Sequence, residues 1–440
     1  MTKHTRKRWL GLFIATLFVA LCWFTPIHQL ASIPQELRIL QGASAALDFG
    51  IPSIATVTTS KPEVVSVAGP GPGADGSQHA SREAHHPVQL DSGKTGSADL
   101  QVKLFGMIPV KSVHVNVVPD LKVVPGGQSI GVKLKSAGIM VVGYNLVKAD
   151  GKSISPAEQA QVKVGDIITR IDDKKVKSVE QAAKWIDEAG HKGKSMMFTV
   201  KRQKDTLNLK VKPMKDDDGD TYRIGLYIRD SAAGVGTLTF YEPDHKVFGA
   251  LGHIITDVDT GQPIGVGDGQ IVHSSVTSID KGESGTPGEK RGIFVDEDRV
   301  LGKITRNSDF GVFGNMDQLP DNAKIRKAMP VALAEQVHEG KASILTVVDS
   351  QKVEEFEIEI VNVMKQKFPA TKSMVIKVTD KRLLEKTGGI IQGMSGSPII
   401  QDGKVIGAVT HVFVNDPTQG YGVFLEWMLN EAGVKTKVGA

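Results

Sequence analysis

Residues Gly388 to Ile400 read Gly-Gly-Ile-Ile-Gln-Gly-Met-Ser-Gly-Ser-Pro-Ile-Ile. Glycines flank one serine, and a β-branched run follows at once. Glycine supplies the positive φ that other residues avoid, so the stretch predicts a tight turn that delivers Ser395 at the mouth of a strand. At such a turn a substrate carbonyl can come close to the backbone. The amides of Gly393 and Ser395 can then converge as an oxyanion hole. Ser395 is the candidate nucleophile. A glycine-rich hairpin turn with a structural serine is the alternative that this stretch alone leaves open.

A nucleophilic serine needs a base and a group to orient that base, recognised by geometry and not by position. Phe248-Gly249-Ala250-Leu251-Gly252-His253-Ile254-Ile255 sets a histidine among small and apolar residues, as at the buried end of a strand. Val375-Ile376-Lys377-Val378-Thr379-Asp380 alternates as a strand and ends on an aspartate. Each has a plainer reading, a core histidine and a turn aspartate. An α/β-hydrolase fits poorly, because its elbow is Gly-x-Ser-x-Gly and Ser397 holds the last place here.

Ala250-Leu251-Gly252-His253, Val378-Thr379-Asp380, Gly393-Met394-Ser395-Gly396-Ser397-Pro398 and Gly407-Ala408-Val409-Thr410-His411-Val412-Phe413 together resemble the SpoIVB peptidases of endospore-forming bacteria. The resemblance implies a mainly β chain with a PDZ-like domain, a chymotrypsin-like serine peptidase domain of the double β-barrel type and an N-terminal transmembrane segment. It implies His253, Asp380 and Ser395 as catalytic triad. It also implies an exported, self-processing endopeptidase, anchored in the forespore inner membrane and then released into the intermembrane space. Its protein substrates would be the chain itself and a SpoIVFA-like regulator of an intramembrane metalloprotease, with pro-sigma-K processing downstream. The aspartate lies 395 − 380 = 15 residues before the serine and 380 − 253 = 127 after the histidine, unlike chymotrypsin-like enzymes, whose aspartate lies closer to the histidine. A PDZ-type scaffold with an inactive peptidase-like domain is the competing reading.

The N-terminal 1–26 reads as a signal anchor or transmembrane segment: Lys3, Arg6, Lys7 and Arg8 precede an uncharged run from Trp9 to Thr25. Those four charges account for the net +4, which is 53 − 49, so the remainder is neutral and nothing suggests nucleic acid. The one cysteine, Cys22, lies in the same run, leaving the rest without disulfides or thiolate metal sites. Residues 34–120 are expected to form a β region interrupted by a flexible linker over 68–98, rich in Gly, Ser, Pro and His. His79, His85 and His86 in it have no fixed companions, so no metal and no cofactor is expected. Self-cleavage is expected to give forms that begin between about residues 35 and 100, where extended backbone could be presented.

Residues 121–213 resemble a PDZ domain. Ser129-Ile130-Gly131-Val132 is similar to the carboxylate-binding loop, which implies that the amides of Ile130, Gly131 and Val132 bind peptides. A helix is expected from Ser178 to Gly190, with Ser178 and Gln181 as capping box. The peptidase domain is expected over 221–440, its short strands separated by glycine turns. Gly407 to Val414 and Gly420 to Val423 resemble walls of a specificity pocket, with His411 a candidate substrate contact.

Overall fold

The computed structural model describes residues 33–47, 55–68, 88–149, 151–366 and 368–434. It contains two compact units, one ending at Leu121 and one running from Lys122 to Val434. The expected anchor and the three linker histidines lie outside the described residues. No helix among the described residues is long and apolar enough to cross a membrane.

The first unit is built from strands β1 (Glu36–Leu40), β2 (Ser44–Leu47), β3 (Ala55–Thr59), β4 (Val65–Ala68), β5 (Val88–Ser92), β6 (Gly96–Leu104) and β7 (Ile108–Val118). They form two sheets, β1-β7-β6-β3 and β2-β5-β4. Alternation along β6 and β7 turns Ala98, Leu100, Val102, Val113, Val115 and Val117 into one core. The hairpin between them turns at Gly106, which takes φ 73°. The linker expected over 68–98 is corrected at its end. Leu90 of β5 belongs to the core, and the Ser92 hydroxyl donates to the carbonyls of Leu40 and Ala43 at 2.7 and 2.8 Å.

The second unit opens with β8 (Lys122–Pro125) and β9 (Ser129–Tyr144). The far half of β9 joins β10 (Ile167–Ile171), β11 (Met196–Arg202) and β12 (Asp205–Val211) in the order β12-β11-β10-β9, with helix α1 (Val179–His191) on the same core. Ser178 caps α1 through the Gln181 amide at 3.2 Å. Gly190, where the helix is expected to end, is still helical, and the helix runs on to His191. A Cβ on Gly190 would stand 2.1 Å from the Tyr222 ring, so the glycine serves packing.

The near half of β9 belongs to a different structure. It pairs with β13 (Leu226–Glu242) on one side and β15 (Val266–Asp280) on the other. With β14 (Val247–Ala250), β16 (Glu289–Ser308) and β17 (Gly311–Asn315), these strands close as a six-stranded antiparallel ring, β9-β15-β16-β17-β14-β13. A second closed barrel follows: β18 (Gly340–Val347), β19 (Val353–Val363), β20 (Met374–Val378), β23 (Asp416–Phe424), β22 (Lys404–Phe413) and β21 (Pro398–Gln401), in that order around the ring. Helix α2 (Lys381–Thr387) follows β20, and α3 (Leu425–Glu431) follows β23.

This architecture corrects the reading of Ile130, Gly131 and Val132 as a peptide-binding loop. Gly131 faces Val235 on one side and Val272 on the other, so both edges of the strand are already paired and no peptide can add there. It also shows what the glycine is for: a Cβ on Gly131 would stand 2.5 Å from the Phe294 ring and 2.9 Å from Val272 Cγ2. Gly131→Ala should therefore lower stability by about 1–3 kcal/mol through overpacking of the barrel wall. Urea denaturation measures this, and an unchanged midpoint would remove the packing argument.

Candidate active site

The histidine comes from the first barrel. Where β14 ends, Leu251 and Gly252 both take positive φ, 69° and 71°, and swing His253 out of the strand. Leucine rarely adopts that backbone, and here its surroundings hold it. The Leu251 amide donates to the Thr237 carbonyl at 3.2 Å, and Gly236 leaves the room that its side chain fills, since a Cβ there would stand 2.0 Å from Leu251 Cδ2. His253 Nδ1 lies 2.9 Å from the carbonyl of Ile254. A carbonyl can only accept, so this contact places the proton on Nδ1 and leaves Nε2 as a lone-pair acceptor. Asn307 holds the next residue, accepting from the Ile255 amide at 2.9 Å and donating to its carbonyl at 2.8 Å. Burial pushes the His253 imidazole below its ordinary 6.5, partly opposed by the Ile254 carbonyl.

The serine comes from the second barrel, on the turn before β21. Gly393 and Gly396 take φ of 89° and 94°, as the glycine pattern predicts. Thr237 and Thr239 of β13 clamp this turn. The Thr237 hydroxyl donates to Gly393 O and the Thr239 hydroxyl to Gly396 O, each at 2.8 Å. The Thr237 amide donates to Ser395 O at 3.1 Å. Gly396 is needed at this approach, because a Cβ would stand 2.2 Å from Thr237 O. Among the described residues the amides of Gly393 and Ser395 make no hydrogen bond. The Ser395 hydroxyl donates to Thr410 O at 2.8 Å.

His253, Gly393, Ser395 and His411 line one cavity of about 1320 Å³. The two imidazoles lie 5.3 Å apart between centroids. Burial, then His253, then Lys372 lower the affinity of His411 for a proton. Asp380 is not brought to this cavity. Thr371 lines it three residues before β20, and β20 then runs on for five residues, on the order of 15 Å, before Asp380 is reached. The Asp380 carboxylate instead caps α2, accepting from the Arg382 amide at 2.9 Å and from its guanidinium at 2.7 and 3.1 Å. Arg382 above all holds this carboxyl below the usual range. The carboxylates on the cavity are Glu289 and Asp309, neither singled out by the sequence pattern.

Sequence reasoning also passed over Lys290, because Glu289-Lys290-Arg291 reads as a solvated charge run. The Lys290 amide donates to Gln392 O at 2.9 Å, and its stem runs under Gly393, whose missing Cβ would stand 3.1 Å from Lys290 Cβ. Its ammonium donates to the Thr346 hydroxyl at 2.8 Å, a neutral partner. The side chain is buried, and burial pushes its pKa down to about 7. Free amides beside a serine, with a neutral imidazole across the cavity, are the parts of an acyl-transfer site.

Residues 220–429 match the family described as SpoIVB peptidase S55, and residues 129–212 match the PDZ domain family. No curated protein matches. Among solved structures, the PDZ domain of the SdrC-like protein (Lmo2051) from Listeria monocytogenes is similar at 25% identity. That match covers 21% of this chain and 87% of the other, with a TM-score of 0.18. The Rv3671c protease from M. tuberculosis, in its active form, is similar at 16% identity over 47% of this chain and 78% of the other, with a TM-score of 0.29.

The buried amine makes a prediction with a definite sign. Between about 7 and 10.5 the unfolded chain keeps the Lys290 proton and the folded chain has lost it, so the unfolding free energy contributed by this group rises with pH across that window. Lys290→Met, which keeps the stem under Gly393, should remove this rise. Urea midpoints of both proteins at about pH 7.5 and about pH 9.5 test it, and equal slopes would discard the assignment.

Proposed function

Since residues 220–429 are a SpoIVB peptidase S55 domain and residues 129–212 a PDZ domain, the chain is a PDZ-containing serine peptidase, and we propose that it is an endopeptidase with Ser395 as nucleophile and His253 as general base. The observation that carries this reading is Thr237, which ties the histidine turn and the serine turn to one residue of β13. In the reaction, the Ser395 hydroxyl turns from Thr410 O to His253 Nε2 and gives up its proton as Oγ attacks the scissile carbonyl. The developing oxyanion takes the amides of Gly393 and Ser395. His253 then protonates the leaving amine, and water repeats the sequence on the acyl-enzyme. A non-catalytic binding role is favoured by one observation, the resting bond of Ser395 to Thr410 O.

The family resemblance supports an exported precursor that processes itself and cleaves a SpoIVFA-like regulator, with pro-sigma-K processing downstream. Residues 36–47, 55–68 and 88–118 carry the paired strands of the N-terminal unit, which a peptidase cannot accept as extended substrate while they stay paired. N-terminal sequencing should find self-generated ends outside those strands, with Ser395→Ala remaining at full length; identical ends in that variant would assign the cut to another protease.

A fluorophosphonate should label Ser395 in the wild type and in Ser397→Ala, because the Ser397 hydroxyl is buried without a partner. Ser395→Ala should take no label; label on it would move the nucleophile elsewhere. Asp380, which the resemblance makes the triad acid, is expected to act as a helix cap. Asp380→Ala should cost about 1 kcal/mol of stability and leave turnover per folded molecule within a few-fold. A folded Asp380→Ala protein with turnover reduced by about 10⁴ would return it to the triad. Because burial holds His253 neutral below pH 6.5, the acid limb of kcat/KM should lie under that value. Activity should fall as pH drops through it, and a limb above 6.5 would count against His253 as base.

A further inference from the structure

PDZ domains take an extended peptide as an extra strand on an exposed sheet edge. In the sheet β12-β11-β10-β9, the place for such a strand is the outer edge of the far half of β9. Met140 pairs with Ile167 of β10 on the inner side. The outer side is already filled from within the chain: Leu226, Tyr227, Ile228 and Arg229 pair antiparallel with Tyr144, Gly143, Val141 and Met140. The added strand behaves as a bound peptide would. Leu226 and Ile228 pack on the PDZ core that includes Ala182 and Ile186 of α1, whereas Tyr227 between them is 57% exposed. Asp230 then reaches the helix, its carboxylate accepting from the Val179 amide at the start of α1 at 3.0 Å. A carboxylate is favoured at that end of a helix.

This short ladder is set apart from the rest of β13. Register shifts fall between Tyr227 and Ile228 and between Arg229 and Ser231, and only from Ser231 onward does β13 pair with the barrel half of β9. Gly225, at φ 76°, precedes it. Four residue pairs can therefore open without unzipping the strand that carries Thr237. The further restraints are Asp230 on the helix, Arg229, whose guanidinium pairs with Asp257 and Asp259, and the anchored start of the segment, where the Gly225 carbonyl accepts from Ser155 Oγ at 2.7 Å and from the Asn145 amide at 3.1 Å.

We propose that Leu226–Asp230 is a built-in occupant of the PDZ peptide slot, and that on its withdrawal the slot takes an internal, extended segment of a protein partner with the same pattern, two aliphatic residues spaced by one and an acidic residue after them. The occupant enters and leaves the slot as continuous chain, so a free C-terminus is not required of the partner. This inference rests on the PDZ domain and not on the peptidase chemistry, so it stands or falls separately from the assignment of Ser395.

The geometry offers a reversible lock. A Cβ on Gly143 would lie 3.8 Å from the Tyr227 Cβ, within the range of disulfides. Full-length Gly143→Cys/Tyr227→Cys, with Cys22→Ser to leave no other thiol and Ser395→Ala to spare the probe, can be oxidised and reduced at will. The probe is a fluorescent peptide of residues 224–231, Ile-Gly-Leu-Tyr-Ile-Arg-Asp-Ser, followed by anisotropy. We expect the oxidised protein to bind at least tenfold more weakly than the same protein after reduction. Asp230→Ala in the Ser395→Ala chain, which loosens the occupant at the helix, should bind several-fold more tightly than Ser395→Ala alone. Equal binding by oxidised and reduced protein would overturn the proposal. So would absence of binding by both the reduced double-cysteine protein and Asp230→Ala.

Discussion

Thr237 is the residue on which the geometry of this site depends. Its carbonyl accepts from Leu251, its amide donates to Ser395, and its hydroxyl donates to Gly393. Leu251 belongs to the histidine turn of one barrel, whereas Ser395 and Gly393 belong to the serine turn of the other. Both turns run through positive φ, which costs energy at Leu251 and needs glycine at 252, 393 and 396. A threonine on an inner strand, fully buried, supplies the bonds that hold them in register. Loss of one such buried bond costs about 1–3 kcal/mol, but its larger effect is geometric, since a shift of about 1 Å between base and nucleophile is enough to slow catalysis severely.

The PDZ domain is not a bead on a string. It leaves the first barrel along β9 and returns along β13, so both connections are strands paired to each other over most of their length. The crossover is marked by irregularity: the Ser136 hydroxyl donates to the Gly138 carbonyl, and a Cβ on Gly138 would stand 2.6 Å from Ile168 O. Whatever engages the PDZ edge therefore acts on a strand that, about ten residues further on, carries Thr237. The register shifts near Arg229 decide how far a change travels, because a bulge absorbs displacement that an unbroken ladder would pass on.

Much of this was legible in the sequence, for local reasons. Glycine turns between short β-branched runs imply antiparallel barrels, Ser178 with Gln181 marks a helix start, and Gly393 with Gly396 marks the turn that presents Ser395. What was not legible depends on pairing across distance. Ser129-Ile130-Gly131-Val132 has the look of a loop, yet the partners of Gly131 lie about 100 and 140 residues further on, at Val235 and Val272. Asp380 carries a second, purely local signal. Asp-Lys-Arg-Leu-Leu-Glu-Lys-Thr-Gly is a complete local signal for a capped short helix, with Gly388 at φ 74° as its stop, and the triad pattern drew attention from it. Val88–Ser92 alternates, but five residues inside a polar stretch are too few for periodicity alone to identify. Lys290 left no signal, because burial of a lysine is decided by the second barrel that closes over it.

The resting position of Ser395 bears on how such a peptidase is restrained. The hydroxyl donates to Thr410 O, and the Thr410 hydroxyl in turn donates to Tyr421 O, so Ser395, the nucleophile proposed above, is held without being activated. A carbonyl cannot take its proton, and the imidazole can. Yet turning from one acceptor to the other exchanges a single hydrogen bond for another, a difference of about 1 kcal/mol, or less than tenfold in population. A restraint of that size slows an enzyme slightly and cannot silence it. Effective control of this site must therefore act on access to the cavity, where occupancy by a competing segment of chain can be worth several kcal/mol. The paired edge of the PDZ sheet is a restraint of that larger size, acting on the peptide slot and not on the cavity: four residue pairs, two apolar side chains and the bond of Asp230 to the helix start must be released together.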